Sequence, residues 1–250
     1  MTLAVASAVF RRARKDKLIK ANPVADLADE VPRRRRPEIE PLERAELDAL
    51  LAAARTRLDP GDYLRLFVIA RTGMRVGEAT GVRVGDLNLR DGYAIVRRTV
   101  DDTHGIGTPK SGKARRVDLS PQLVAALWAA VAERAVVDLD PIRRRNAWLF
   151  PWPIDPERPA PVDRFRRAVN AVARRVGIAR FNLKLLRHTY ASHLLVHENA
   201  PPHYVQAQLG HHSPDFTQRV YGHLLARDRG RYADRLDDAA AARLKAPPTA

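Results

Sequence analysis

The 250-residue chain contains no cysteine. That absence excludes disulfides, thiolate zinc sites and cysteine nucleophiles. No apolar run approaches the roughly 18 residues that a membrane-crossing helix needs, so no membrane partner is expected. The residues from Met1 to Lys17 place a short apolar stretch ahead of the charges. A secretory signal has the reverse order, and none is expected. Acidic residues are in deficit: 29 Asp plus Glu stand against 44 Lys plus Arg, for a formal net charge of +15. Hydrophobic residues make up 45%, which supports a real core and argues against wholesale disorder. The expectation is a soluble, intracellular, strongly basic protein of one large domain, or one domain with an appendage. Such a charge points to a polyanion, above all nucleic acid. Arginine- and alanine-rich codon usage yields the same excess, so composition leaves both readings open.

Residues 2–20 have helical spacing at Ala6, Val9, Phe10 and Ala13, and Asn22-Pro23 is read as the end of that helix. A proline-rich stretch follows, with Pro23, Pro32, Pro37 and Pro41 around the run Arg33, Arg34, Arg35 and Arg36. It reads as a basic, extended linker that could lie along phosphates. Further helices are expected at 42–56 and from Tyr63 to Thr72, after a turn at Asp59 to Asp62. Gly73 interrupts, and a short helix starts near Arg75. Leu87, Leu89, Tyr93 and Ile95 flank an Asp91-Gly92 hairpin turn. A polar loop is expected over 101–114, then a third strand at Val117 and Leu119. Ser120 and Pro121 open a helix whose buried face is read as Val124, Leu127, Trp128 and Val131. Residues 138–160 read as irregular. Apolar stripes follow at Phe165, Val169, Val172 and Val176, and at Leu183, Leu186, Tyr190 and Leu194. Ser213-Pro214 starts another helix, and 226–245 form a last one. The fold class is mainly α with a small antiparallel sheet near 82–119.

Seven of the eight histidines fall between His188 and His223. His193 and His197 have a metal-ligand spacing, but no carboxylate partner is evident. Phosphate chemistry without a metal needs cations around the phosphate, a nucleophile and a proton donor. Three segments offer these parts. In Thr72-Gly73-Met74-Arg75-Val76-Gly77-Glu78-Ala79, Arg75 would project from a helix N-terminus, which favours an anion, with Glu78 one turn on to brace it. In Leu186-Arg187-His188-Thr189-Tyr190, a helix carries Arg187. The third is Leu209-Gly210-His211-His212-Ser213, followed by Val220-Tyr221-Gly222-His223.

In this order and approximate spacing, these segments resemble the tyrosine recombinase (phage integrase) family, over residues 42–225. The resemblance implies a role at each matching position. Arg75 and Arg187 hold the non-bridging phosphate oxygens, a task suited to forked guanidinium donors. Tyr221 is the nucleophile that forms a 3′-phosphotyrosyl bond, and His211 hydrogen-bonds the phosphate. Lys110, in Thr108-Pro109-Lys110-Ser111-Gly112-Lys113, protonates the leaving oxygen, with Lys113 a rival and a candidate DNA contact. Glu78 and His188 are supporting residues. No metal, nucleotide or other cofactor is implied. The implied partner is double-stranded DNA, bound by a homotetramer that exchanges C-terminal segments, with an accessory DNA-bending or directionality factor as a further candidate. The implied location is the cytoplasm of a bacterial or phage-derived system, on the nucleoid.

The chain departs from the family pattern in three places. Lys184 stands where the family usually has histidine, three residues before the second arginine. It keeps a positive donor, but its ordinary pKa of about 10.4 makes it a poorer base for Tyr221. His211 and Tyr221 are one residue further apart than usual. Residues 1–24 resemble only the last helix of a core-binding domain, 25–41 form the linker, and 42–250 the catalytic domain. The expected activity is site-specific recombination or integration by strand cleavage and rejoining. The alternatives are an impaired, truncated integrase that only binds DNA, and a relaxing activity by the same chemistry.

Overall fold

The computed structural model describes residues 3–25, 27, 39–110, 112–137 and 140–210. The chain divides into two units, Met1–Ile39 and a second that begins at Glu40. In the first unit, α1 (Leu3–Lys15) stops short of the expected residue 20. Lys17 takes a left-handed φ of 59°, and the Leu18 N–H folds back onto the Ala13 carbonyl. Asn22 secures the following turn: its Oδ1 accepts from the Val24 N–H at 3.1 Å, and its Nδ2 donates to Ser7 Oγ at 3.2 Å.

The second unit opens with α2 (Arg44–Arg57) and α3 (Pro60–Thr72). The expected turn at Asp59 to Asp62 is the first turn of α3. The Asp59 carboxylate caps it by accepting from the Asp62 N–H at 2.9 Å, and Pro60 sits where a helix has no use for an N–H. This helix is buried on nearly every side, including Leu66, Ile69 and even Arg65, which is 0% exposed. The Arg65 guanidinium lies 4.3 Å over the Phe165 ring and donates to the Thr80 hydroxyl. Burial pushes its pKa down to about 10, against the opposing charges of Asp62, Asp102 and Asp59.

After α4 (Val76–Thr80) and a 3₁₀ turn (Val84–Asp86), the chain enters its sheet region. Strands β1 (Leu87–Asn88) and β2 (Tyr93–Val96) form the expected hairpin around Gly92, at φ 68°. Strands β3 (Thr99–Asp101) and β4 (Gly105–Gly107) form a second hairpin, which begins just before the expected polar loop and runs into it. The Asp101 carboxylate closes its turn by accepting from the N–H groups of Thr103 and His104, each at 3.0 Å. Backbone pairing around a tight turn needs no apolar alternation, so the pattern was silent here. Strand β5 (Arg115–Asp118) then pairs antiparallel with β2, completing a three-stranded sheet in the order β1-β2-β5. Ala94, Val96 and Val117 point from it into the core.

Helix α5 (Pro121–Val137) follows, with the Leu123 N–H on Ser120 Oγ at 3.4 Å. Its buried face runs through Leu123 and Leu127, whereas Trp128 is 53% exposed. Of the expected stripe, Leu127 is buried and Val124 packs against the core, and Trp128 is the member that falls on the exposed side. The stretch 138–160 is more regular than expected. It holds α6 (Pro141–Asn146), capped by Asp140, and a hairpin of β6 (Pro151–Trp152) with β7 (Asp155–Pro159). Trp148, Leu149 and Phe150 are buried before that hairpin. Helix α7 (Val162–Arg175) buries Phe165, Val169 and Val172 as expected. Helix α8 (Leu183–Ser192) continues into a π turn (His193–His197), and α9 (Pro202–Leu209) ends the described chain at Gly210. One hydrophobic core joins α2, α3, α7 and α8 to the inner face of the sheet. The helices expected at Ser213-Pro214 and 226–245 lie outside the described residues.

Candidate active site

The site is built from three turns and one strand. The first turn begins where α3 ends, at Gly73, whose φ of 64° reverses the chain. Arg75 then becomes the N-cap of α4. Its backbone N–H donates to Glu78 Oε2 at 2.9 Å, and its Nη1 donates to Glu78 Oε1 at 2.7 Å. The expected bracing is therefore present. A second guanidinium reaches the same carboxylate: Arg115, from the start of β5, donates Nη1 to Oε1 at 3.1 Å and Nη2 to Oε2 at 2.7 Å. Glu78 is 1% exposed. Burial pushes its carboxyl up, but hydrogen bonds and charge from Arg115 outweigh this, joined by the backbone N–H and charge of Arg75. The carboxyl is held down to about 2. Two guanidiniums share one carboxylate, so the cluster keeps a net positive charge.

The second turn opens α8. Asn182 caps it by accepting from the Leu185 N–H at 3.1 Å. Lys184 is exposed in the first turn, and Arg187 follows one turn later, buried. Arg187 Nη1 donates to the Gly73 carbonyl at 2.8 Å, and Nη2 donates to the Leu209 carbonyl at 2.6 Å. The third turn is Gly210, at φ 66°, the C-cap of α9 and the residue before His211. One guanidinium thus ties together the chain two residues before Arg75 and the chain two residues before His211.

His188, beside Arg187, is buried. Burial pushes its pKa down to about 4, with the charges of Lys184 and Arg187 adding to the effect. The folded chain therefore keeps this imidazole neutral where the unfolded chain takes a proton, below about 6.5. Its stabilising contribution is complete above that value and is lost as the pH falls toward 4. Between pH 7 and pH 5, urea unfolding should show a loss of about 2 kcal/mol from this residue. His188→Gln should be correspondingly less pH-sensitive than wild type. An equal loss in both proteins would contradict this.

Lys110 and Lys113 are both exposed in the loop between β4 and β5. The Gly112 N–H turns that loop back onto the Pro109 carbonyl at 2.7 Å. His193, half of the considered metal pair, contacts the Leu42 carbonyl through Nε2 at 2.9 Å and stands edge-on to the His197 ring at 5.2 Å. Among the described residues no group of three or more His, Asp or Glu could hold a metal ion. His211, Tyr221 and Arg33, Arg34, Arg35 and Arg36 lie outside the described residues. Arg115 was missed by the sequence reading. Its signal was its phase: it lies two residues from the buried Val117, on the inward face of β5, where an arginine needs an acidic partner.

The model of the phage integrase family matches residues 40–227. The chain belongs to the phage integrase (tyrosine recombinase) family. The tyrosine recombinase XerD of Caulobacter vibrioides is 32% identical over 195 residues, which is 77% of this chain and 60% of that protein. The ICEBs1 integrase of Bacillus subtilis is 27% identical over 173 residues, 67% of this chain and 46% of that integrase. The chain thus spans less than two thirds of the length of these recombinase relatives. The crystal structure of XerA recombinase superposes with a TM-score of 0.60 at 25% identity, covering 81% of this chain and 68% of that one. The Tn1549 transposon integrase in complex with a circular intermediate DNA superposes with a TM-score of 0.69, covering 86% and 71%. At 19% identity that likeness is one of fold. The mainly helical architecture with small antiparallel sheets is that of integrase and recombinase catalytic domains. Among the described residues no helix is long and apolar enough to cross a membrane.

Proposed function

We propose that this chain cleaves and rejoins duplex DNA at specific sites through a covalent 3′-phosphotyrosyl intermediate, in recombination or integration. The observation that carries the reading is the double contact of Arg187 with the carbonyls of Gly73 and Leu209. It draws the Arg75 turn, the Arg187 helix and the turn into His211 around one place, as a phosphate clamp requires. In this reading Arg75 and Arg187 hold the non-bridging oxygens, and His211 and Lys184 add donors. Tyr221 Oη attacks phosphorus and its phenolic proton is lost to solvent. The bond from phosphorus to the 5′ oxygen breaks, and that oxygen leaves with a proton from Lys110 or its neighbour Lys113. The phosphodiester is conserved as a phosphotyrosine ester, so rejoining needs no nucleotide. The reading extends to the whole chain. Residues 1–24 would be the end of a core-binding domain, and 25–41 a basic linker on the DNA backbone. Residues 42–250 would act in a homotetramer with exchanged C-terminal segments.

The test uses a nicked duplex library with a randomised central segment, from which duplexes retained by the protein are selected. The nick lets the cleaved fragment diffuse away and traps the intermediate. The expected result is a denaturation-resistant protein–DNA adduct with wild type and none with Tyr221→Phe. Retention of selected DNA without any adduct would contradict catalysis and support a chain that only binds DNA, the outcome that Lys184 in the histidine position favours.

A further inference from the structure

Arg115 makes more contacts to the proposed site than any role given above requires. Its side chain is 9% exposed. Two of its nitrogens grip Glu78, and its Nε donates to the Gln208 carbonyl at 3.0 Å. Gln208 is itself fixed to β5: its Oε1 accepts from the Asp118 N–H at 2.9 Å, and its Nε2 donates to the Asp118 carboxylate at 3.0 Å. Gly210 completes the fit. A Cβ there would come within 2.7 Å of Arg115 Cδ and 3.0 Å of its Nε, so the arginine runs through the space that glycine leaves.

We infer that Arg115 is a positioning residue for strand cleavage: it locks Glu78, and through Glu78 the Arg75 guanidinium, to the strand that also holds the turn into His211. This rests on the function proposed above. A carboxylate bonded by Arg75 alone has freedom to turn, and the guanidinium turns with it. Arg115 removes that freedom by taking both oxygens in a fork. A lysine would supply the charge but not the fork, nor the third bond to Gln208. The clamp is also electrostatic. Glu78 is buried, and without Arg115 burial raises its pKa with only Arg75 to oppose it. From the elements packed on α4, Arg65 of α3 is committed to Thr80, Asp101 of β3 to His104, and Arg166 of α7 to Asp163. None of these is bonded to Glu78. A protonated Glu78 would accept one guanidinium poorly and release Arg75.

The experiment measures single-turnover adduct formation on the selected nicked duplex, from pH 5 to 9, alongside equilibrium binding of the same duplex. Arg115→Gln is expected to slow adduct formation by on the order of 100-fold at pH 8, the scale of a misplaced catalytic group. Binding should change less than threefold. Its rate should also fall further in acid, below a limb that wild type lacks, and the limb should vanish in Arg115→Gln/Glu78→Gln. Arg115→Lys, which keeps the charge, should fold as wild type does and lie between the two in rate. A general folding defect would lower binding and rate together and create no limb that depends on Glu78. An adduct formed at wild-type rate by Arg115→Gln, or by Arg115→Lys should the glutamine variant not fold, overturns the inference alone. Absence of any wild-type adduct overturns this inference and the proposed function together.

Discussion

Replacing Arg187 with alanine is expected to lower stability by about 3–5 kcal/mol and to abolish adduct formation. The size follows from what the guanidinium leaves behind. It donates to the carbonyls of Gly73 and Leu209, and both contacts are buried. A buried carbonyl stripped of its donor costs about 1–3 kcal/mol, and charged donors stand at the high end of that range. A water entering the vacated space would recover part of one bond, not both. Catalysis should suffer at least as much as stability, because the turns carrying Arg75 and His211 lose their common tie. A drop of at least about 10³-fold in adduct rate is expected, comparable with the loss of a preorganised transition-state donor. Arg187→Lys separates the two effects. A single ammonium can reach one carbonyl, so it should regain part of the stability and little of the rate. Urea unfolding and single-turnover assays read the two quantities separately. Equal recovery of both would contradict this division.

Gly73→Ala is expected to cost about 2–5 kcal/mol, from two independent sources. The left-handed φ of 64° costs a residue with a Cβ about 1–2 kcal/mol. The Cβ would also stand 2.5 Å from Tyr190 Cδ1 and 2.8 Å from Leu209 Cδ2, and relieving such overpacking costs about 1–3 kcal/mol. Tyr190 cannot retreat freely, since it packs with Leu194 and Tyr204 against Ala191, Leu195, Val205 and Leu209. Any shift also moves the Gly73 carbonyl away from Arg187. Tyr190→Leu removes the ring that the new methyl strikes. The double variant Gly73→Ala/Tyr190→Leu should therefore be less destabilised than the sum of the two single variants by about 1 kcal/mol or more. Simple additivity would show that the Tyr190 ring contributes nothing, leaving backbone strain and the Leu209 contact responsible.

Parts of the molecule governed by neighbours in the chain were legible in advance. The Asp91-Gly92 hairpin, the Ser120-Pro121 helix start and the Phe165, Val169 and Val172 stripe each depend on residues within about one turn of one another. Glu78 bracing Arg75 is of the same kind, three residues apart. What stayed hidden depends on residues far apart. Arg187 meets a carbonyl 114 positions away, and Arg115 meets Glu78 across 37. Backbone carbonyls have no side-chain signature, so no motif announces that an arginine will end on one. The hairpin of β3 and β4 was hidden differently, because its strands are only three residues each and its pairing is carried by the backbone. Trp128 misled because it shares the helical spacing of Val124 and Leu127, whereas the helix turns Leu123 inward and leaves Trp128 53% exposed.

The chemistry assigned to Tyr221 stands at the centre of the proposed function, and mapping the covalent product tests it most directly. The trapped adduct would be digested with protease and nuclease, and the modified peptide sequenced by mass spectrometry. The expected result is a nucleotide joined through its 3′-phosphate to the peptide containing Tyr221, with a 5′-hydroxyl on the released strand. A nucleotide on any other residue, or a 5′-phosphate on the released strand, would contradict it.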